Sequence, residues 1–224
     1  MPVACSLMPG FIMRIIAGKA KGRTLIAPKV KILRPTTDRV KESLFNILSV
    51  AGKGFLDLFA GAGSVGLEAV SRGASRVILV ESHRGCAEAI RTNIGRCGFV
   101  NIPPDGIEGA SRQEIEVLEV PVDRGLKLLG HRGELFDVIF ADPPYERNLI
   151  GETLRLIRAQ ALMSQDGVLV VQHSAREEIP ARREGYQIED SRRYGETALS
   201  FLRLQQPDAK EHKRSDDRSA WPDG

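Results

Sequence analysis

From Phe55 to Leu204 the chain alternates short apolar runs with segments of helical spacing, and this alternation constrains the fold more than any other feature. Phe55–Phe59, Arg76–Val80, Glu114–Val120, Phe136–Ala141 and Gly167–Gln172 read as strands, rich in β-branched and aromatic residues. Gly66–Arg72, Arg84–Cys97, Arg124–Leu129 and Asn148–Ala161 read as the helices between them, with Gly73 and Gly98 ending the first two. Tyr186–Tyr194 and Thr197–Leu204 close the series as an antiparallel pair. Strands separated by helices return in the same direction, so the pattern predicts an α/β fold with a doubly wound, mainly parallel sheet.

A different pattern precedes the alternation. Arg14–Ala17 and Arg23–Ile26 are strand-like, and Gly18-Lys19-Ala20-Lys21-Gly22 between them reads as the turn of a small N-terminal β-hairpin extension. Thr37 or Asp38 then caps a predicted helix through Val40, Leu44, Ile47 and Leu48, which Gly52 and Gly54 stop. From Arg14 to Glu42 nine basic residues stand against two acids, a local balance of +7 in a chain of net charge +3. A basic arm on an otherwise acidic body is a footprint of polyanion binding. The same lysines would also serve a solvated hairpin that guards its edges. The candidate nucleic-acid contacts are Arg14, Lys19, Lys21, Arg23, Arg34, Arg39 and Lys41.

At 224 residues and 42% hydrophobic composition, the chain is long enough for one domain with a real core and short extensions. The expected partition is an N-terminal extension over 1–12, disordered and followed by an alternative start at Met13. A basic hairpin and helix follow over 13–53, the α/β domain over 54–206, and a disordered polar tail over 207–224 that holds Trp221. Three cysteines, Cys5, Cys86 and Cys97, form neither a disulfide framework nor a metal-ligand spacing. They indicate a reducing, cytoplasmic setting and no metal site. No apolar run reaches roughly 18 residues, and no signal peptide is evident, so no membrane association is expected.

The apolar run Phe136–Ala141 ends at Asp142-Pro143-Pro144-Tyr145. Two prolines give no N–H and fix φ, so the chain turns at the carboxyl end of a buried strand, where open α/β sheets place their ligands. A carboxylate, carbonyls without competing N–H groups and an aromatic face suit a flat base with an exocyclic amine. Asp142, Pro143, Pro144 and Tyr145 are therefore the candidate catalytic turn.

Asp57-Leu58-Phe59-Ala60-Gly61-Ala62-Gly63-Ser64-Val65-Gly66 joins the first strand of the alternation to its helix. Gly61, Gly63 and Gly66 form G-x-G-x-x-G, which serves a dinucleotide or another nucleoside cofactor. Three carboxylates favour S-adenosylmethionine. Asp57 would repel a pyrophosphate but accept bonds from an ammonium-bearing ligand. Glu81, at the end of the second strand, can take both ribose hydroxyls, or it is simply a surface acid. Asp123 can accept from an adenine amine, or it caps the helix beginning near Arg124. Of the histidines, His83 reads as surface and His173 as structural.

Together, Arg14-Ile15-Ile16-Ala17-Gly18, Arg34-Pro35-Thr36-Thr37-Asp38-Arg39-Val40-Lys41-Glu42, Asp57-Leu58-Phe59-Ala60-Gly61-Ala62-Gly63 and Asp142-Pro143-Pro144-Tyr145 occur in the order found in the bacterial RsmD-type methyltransferases. The chain resembles that family from about Arg14 to Leu204. The resemblance implies a Rossmann-like class I methyltransferase fold, S-adenosylmethionine as cofactor, and methylation of the N2 amine of a guanine in 16S ribosomal RNA. It implies Asp57, Phe59, Gly61, Gly63, Glu81 and Asp123 around the cofactor and Asp142–Tyr145 at the target base. It also implies a small-subunit assembly intermediate as the substrate; a monomer is the default expectation for so compact an enzyme. Asn101–Arg112 is longer than the usual link before the third strand, which loosens the alignment of Asp123.

Other readings fit parts of the pattern. Adenine-N6 DNA methyltransferases and glutamine-N5 protein methyltransferases use similar turns, usually with Asn in place of Asp142. A nicotinamide-dependent oxidoreductase would use the glycine turn but leaves Asp142–Tyr145 and the basic arm unexplained. A nucleic-acid-binding module without activity would use the arm alone.

Overall fold

The structure, a computed structural model, describes residues 13–28, 36–99, 113–144 and 149–205. Arg34, Tyr145, the 101–112 loop, the first twelve residues and the polar tail with Trp221 lie outside these.

The hairpin pairs β1 (Met13–Arg14) with β2 (Thr24–Leu25) in antiparallel register. Helix α1 (Asp38–Ile47) follows, capped by Thr37, whose hydroxyl accepts the Val40 N–H. The alternation then gives β3 (Gly54–Leu58), α2 (Ser64–Ser71), β4 (Arg76–Val80), α3 (Arg84–Arg96), β5 (Glu114–Leu118), α4 (Val122–His131), β6 (Phe136–Ala141), α5 (Leu149–Ala159), β7 (Met163–Ser174), β8 (Tyr186–Tyr194) and β9 (Thr197–Leu204).

Seven strands form one sheet in the order β5-β4-β3-β6-β7-β9-β8. The first five are parallel, and β9 and β8 add antiparallel to β7. This is the doubly wound sheet with a terminal antiparallel pair that the alternation predicts. Strand order reverses between β3 and β6, so the switch point lies at their carboxyl ends. The strands are buried on both faces, as parallel strands covered by helices must be.

Two apolar clusters cover the two faces. One gathers Phe55, Leu79, Phe140, Val170 and Phe201 under α1, α2 and α3. The other gathers Leu56, Ile78, Ile139 and Leu169 with α4 and α5. The hairpin contributes Met13, Ile15 and Leu25 to the first cluster. The 13–53 segment therefore shares its core with the sheet.

The hairpin is held chiefly by α2. Glu68 is fully buried, and its carboxylate accepts the N–H groups of Ile16 (2.8 Å) and Ala17 (2.9 Å). Ser71 donates its hydroxyl to the Ala17 carbonyl and accepts the Ala20 N–H. Gly18, at φ 79°, sits so close to the Ser71 carbonyl that any side chain would collide with it.

Candidate active site

The carboxyl ends of β3, β4 and β6 bring together most of the residues singled out in the sequence. β3 ends at Leu58, and Phe59 then takes φ 61°, a left-handed conformation uncommon for an aromatic residue. Gly61 (φ 57°) and Gly63 (φ 80°) continue the turn, and α2 begins at Ser64. Gly66 is required by contact: a Cβ there would lie 2.7 Å from the Leu79 side chain and 3.0 Å from Asp57 Oδ2. The third glycine thus lets the first turn of α2 press onto β4 and onto Asp57.

Asp57 is buried and accepts the Gly66 N–H at 2.7 Å. Burial pushes its pKa up to about 8; the Gly66 bond opposes this, while the charges of Asp142 and Glu81 add to it. Glu81 follows β4. One of its oxygens accepts the Gly61 N–H at 2.8 Å and the other the His83 N–H at 2.7 Å. It is a buried acid that shapes the glycine turn, not a surface acid. Glu81 brings negative charge to the carboxyl ends of the strands beside the protonated Asp57, which suits a ligand carrying positive charge.

Asp142 stands one residue beyond β6, its N–H directed at the Leu58 carbonyl at 3.4 Å. This links the proline turn to the strand that feeds the glycine turn. Pro143 is buried and Pro144 half-buried.

Asp123 lies on the first turn of α4, beyond the carboxyl end of β5. Its side chain is 44% exposed and lies 3.9 Å from Lys127. It does not cap the helix; Pro121 occupies the cap position. His173 is buried within β7, with Nε2 bonded to the Ser200 hydroxyl and Nδ1 to the Ser174 carbonyl, a structural position.

Two residues were not legible as site residues. Ser64, the first residue of α2, has a buried hydroxyl with no partner among the described residues. Gln172 has a buried Oε1 in the same condition. Ala141, the last residue of β6, pairs with Val171, so Asp142, just beyond β6, and Gln172 on β7 follow the same paired position. Buried unpaired polar atoms are rare in folded proteins, and Ser64 and Gln172 each carry one at the carboxyl ends of the strands. A single Gln in an apolar run carries no signal of this in sequence.

The basic arm divides. Lys19, Lys21 and Arg23 are exposed on the hairpin, and Arg39 is exposed on α1. Arg14 is exposed and pairs with Asp38 at 2.9 Å. Lys41 does not belong with them. It is 1% exposed, donates to the Arg14 carbonyl at 2.6 Å and lies 3.8 Å from Glu68. It balances a buried carboxylate and cannot reach a phosphate.

The family model described as Conserved hypothetical protein 95 matches residues 13–203. The chain is 34% identical to YlbH of Bacillus subtilis, over 75% of this chain and 86% of that protein. It is 31% identical to the ribosomal RNA small subunit methyltransferase D of Escherichia coli, over 75% of this chain and 78% of the relative. A solved hypothetical protein of Thermus thermophilus superposes with a TM-score of 0.69 at 30% identity, covering 86% of this chain and 99% of that one. Four motifs in family order, a match along nearly the whole described chain and relatives of similar length agree: the chain belongs to the ribosomal RNA small subunit methyltransferase D family.

Proposed function

We propose that this chain methylates the exocyclic N2 amine of a guanine in small-subunit (16S) ribosomal RNA, with S-adenosylmethionine as methyl donor. The observation that carries the reading is the placement of Asp142-Pro143-Pro144 at the switch point, joined to β3 through Leu58 and facing the glycine turn across one strand boundary. Family membership supports the RNA substrate.

The residues present fit the cofactor. Glu81 supplies negative charge, Asp57 ionises as a cationic ligand binds, the Gly61–Gly63 turn allows close backbone approach, and the Ser64 hydroxyl awaits a partner. Asp123 reaches the same edge from α4 and would hold the adenine amine. When bound, S-adenosylmethionine supplies a methyl group that is already strongly electrophilic, so the protein's work is positioning and electrostatics.

A guanine N2 amine is a weak nucleophile because its lone pair is delocalised into the ring. Asp142 and a carbonyl of the proline turn accept its N–H groups, which favours the pyramidal amine and aims its lone pair. Tyr145 stacks on the extruded base. The proton that the amine loses passes to Asp142 or to water. Neither a protein nucleophile nor a metal ion is needed. Lys19, Lys21, Arg23, Arg34 and Arg39 hold the phosphate backbone. We place the reaction in the cytoplasm, carried out by a monomer on a small-subunit assembly intermediate.

The test is mass mapping of 16S rRNA nucleosides from cells with and without this protein. The expected result is one N2-methylguanine that disappears with the gene and returns on adding protein and cofactor to the unmethylated subunit. Unchanged guanines, or a methylated adenine or protein glutamine instead, would overturn the reading.

A further inference from the structure

Helix α1 and the edge strand β8 leave between them a cleft of about 400 Å³. Arg39, Glu42, Ser43, Asn46 and Ile47 line it from α1, and Arg192 and Tyr194 from β8. Arg192 and Tyr194 alternate along the strand, so both rise on the face that α1 covers. The Tyr194 and Ser43 hydroxyls share a hydrogen bond that ties β8 to α1. Arg192 is exposed and held by Asp190 at 2.7 Å. Asp38, the acid adjacent to Arg39, is taken by Arg14 and Lys41, which leaves Arg39 without an acidic partner among the described residues.

The location gives the cleft a purpose. β8 ends at Tyr194, which pairs with Thr197, which pairs with Ser174 near the carboxyl end of β7. β7 is the neighbour of β6, which delivers Asp142. Three strand spacings separate β6 from β8, about 14 Å. That is about four stacked nucleotides at 3.4 Å each. The cleft thus lies on the same edge as the target site, a few nucleotides away.

Its chemistry matches a single strand. Two guanidiniums suit phosphates. The Asn46 amide and the Ser43 and Tyr194 hydroxyls can bond base edges or a 2′-hydroxyl. Ile47, 43% exposed on an otherwise polar helix face, offers an apolar surface for a base or ribose. Glu42, the one acid lining the cleft, can accept from a base amine.

We infer that the α1–β8 cleft binds a single-stranded stretch of the substrate RNA flanking the target base, with Arg39 and Arg192 on its phosphates and Asn46 and Ile47 against a base or ribose. The inference rests on the ribosomal RNA reading above. It adds a second grip, on the opposite side of the switch point from the cofactor edge.

The experiment compares wild type with Arg39→Ala/Arg192→Ala on an in vitro transcribed small-subunit rRNA over a range of KCl concentrations. Calorimetric titration of the cofactor serves as control for folding. The double variant should keep cofactor affinity. Its log–log salt slope for RNA should fall by about 1.4–1.8, two contacts at 0.7–0.9 each, with KM for RNA raised about tenfold. Asn46→Ala/Ile47→Ser should raise KM without changing the slope. If wild type neither binds nor methylates the RNA or the subunit, the ribosomal RNA reading falls, and this inference with it. If wild type does both and the double variant matches it in slope and KM, the cleft assignment alone is overturned. Slower methylation of the assembled subunit with unchanged binding to naked RNA overturns it too, in favour of a protein contact.

Discussion

Asp57 accepts the backbone N–H of Gly66 at 2.7 Å, which binds the end of β3 to the first turn of α2 and buries a carboxyl group beside two others. Its pKa of about 8 has consequences in opposite directions for the free and the loaded protein. An acid whose folded pKa is raised holds its proton more tightly folded than unfolded. Its contribution to stability is therefore full below the ordinary carboxylate range and is lost as pH rises towards 8. Denaturant unfolding between pH 5 and 9 should show stability falling with pH, by at most about 1.4 kcal/mol per unit from this group. Asp57→Asn should flatten that fall, since an amide oxygen can still accept the Gly66 N–H. Cofactor binding should respond the other way. A cationic ligand favours the ionised acid, so affinity should rise towards pH 8 and binding should release protons, read by calorimetry in two buffers of different ionisation enthalpy. Asp57→Asn should bind cofactor weakly at every pH. Proton-neutral binding would sink this account.

Asp142→Ala should leave cofactor affinity largely intact and lower the single-turnover methylation rate at least about a hundredfold, the scale for losing one positioned electrostatic group. Tyr145→Ala should cost roughly tenfold or more, because aromatic stacking is worth about 1–3 kcal/mol per base. Tyr145→Phe should retain most of the rate. A Phe variant as poor as the Ala variant would assign the work to the hydroxyl.

Gln172→Leu separates an idle oxygen from a working one. The Oε1 has no bond to lose in the free protein, so unfolding should be unchanged or shifted slightly upwards. If the oxygen accepts from the target base beside Asp142, methylation should fall about tenfold with cofactor affinity unchanged. Wild-type turnover in this variant would leave Gln172 as packing alone.

Lys41 and the hairpin cations should fail in different assays. Burial lowers the Lys41 pKa, and Glu68 and Asp38 oppose that shift. Lys41→Met removes the donor to the Arg14 carbonyl and one of two cations beside Glu68, which keeps Arg72 at 2.8 Å, and should destabilise by about 1–3 kcal/mol in denaturant unfolding. Replacing Lys19, Lys21 and Arg23 together by Ala should leave the unfolding midpoint nearly unchanged and lower the RNA salt slope by about 2.1–2.7. An unchanged slope would make these three residues solubilising only.

The fold was legible because its strands are buried on both faces, and continuous apolar runs such as Arg76–Val80 and Phe136–Ala141 show themselves in composition. Boundaries failed where pairing and not residue type decides. β7 starts at Met163, four residues before the glycine at which the apolar run opens, because Met163 pairs with Phe136 across a register shift. The glycine turn was legible from its spacing. What it demands of its neighbours was not. Nothing in Phe59 announces a left-handed backbone, and nothing in Glu68 or Lys41 announces burial. Charged residues read as solvated unless a partner distant in sequence is known. Glu68 pairs with Arg72 four positions on, but its burial also rests on the hairpin backbone more than fifty positions away.

The rivet between hairpin and α2 sets a limit on how this enzyme can be dissected. Glu68 and Ser71 are completed by backbone groups of residues 16–20, and the collar is closed by a glycine that fits against Ser71 only without a side chain. A protein trimmed to the sheet would keep a fully buried carboxylate shorn of both backbone donors, on the very helix that starts at the glycine turn. The arm is thus no removable accessory, and a transplanted hairpin would need the Glu68 and Ser71 sockets along with it.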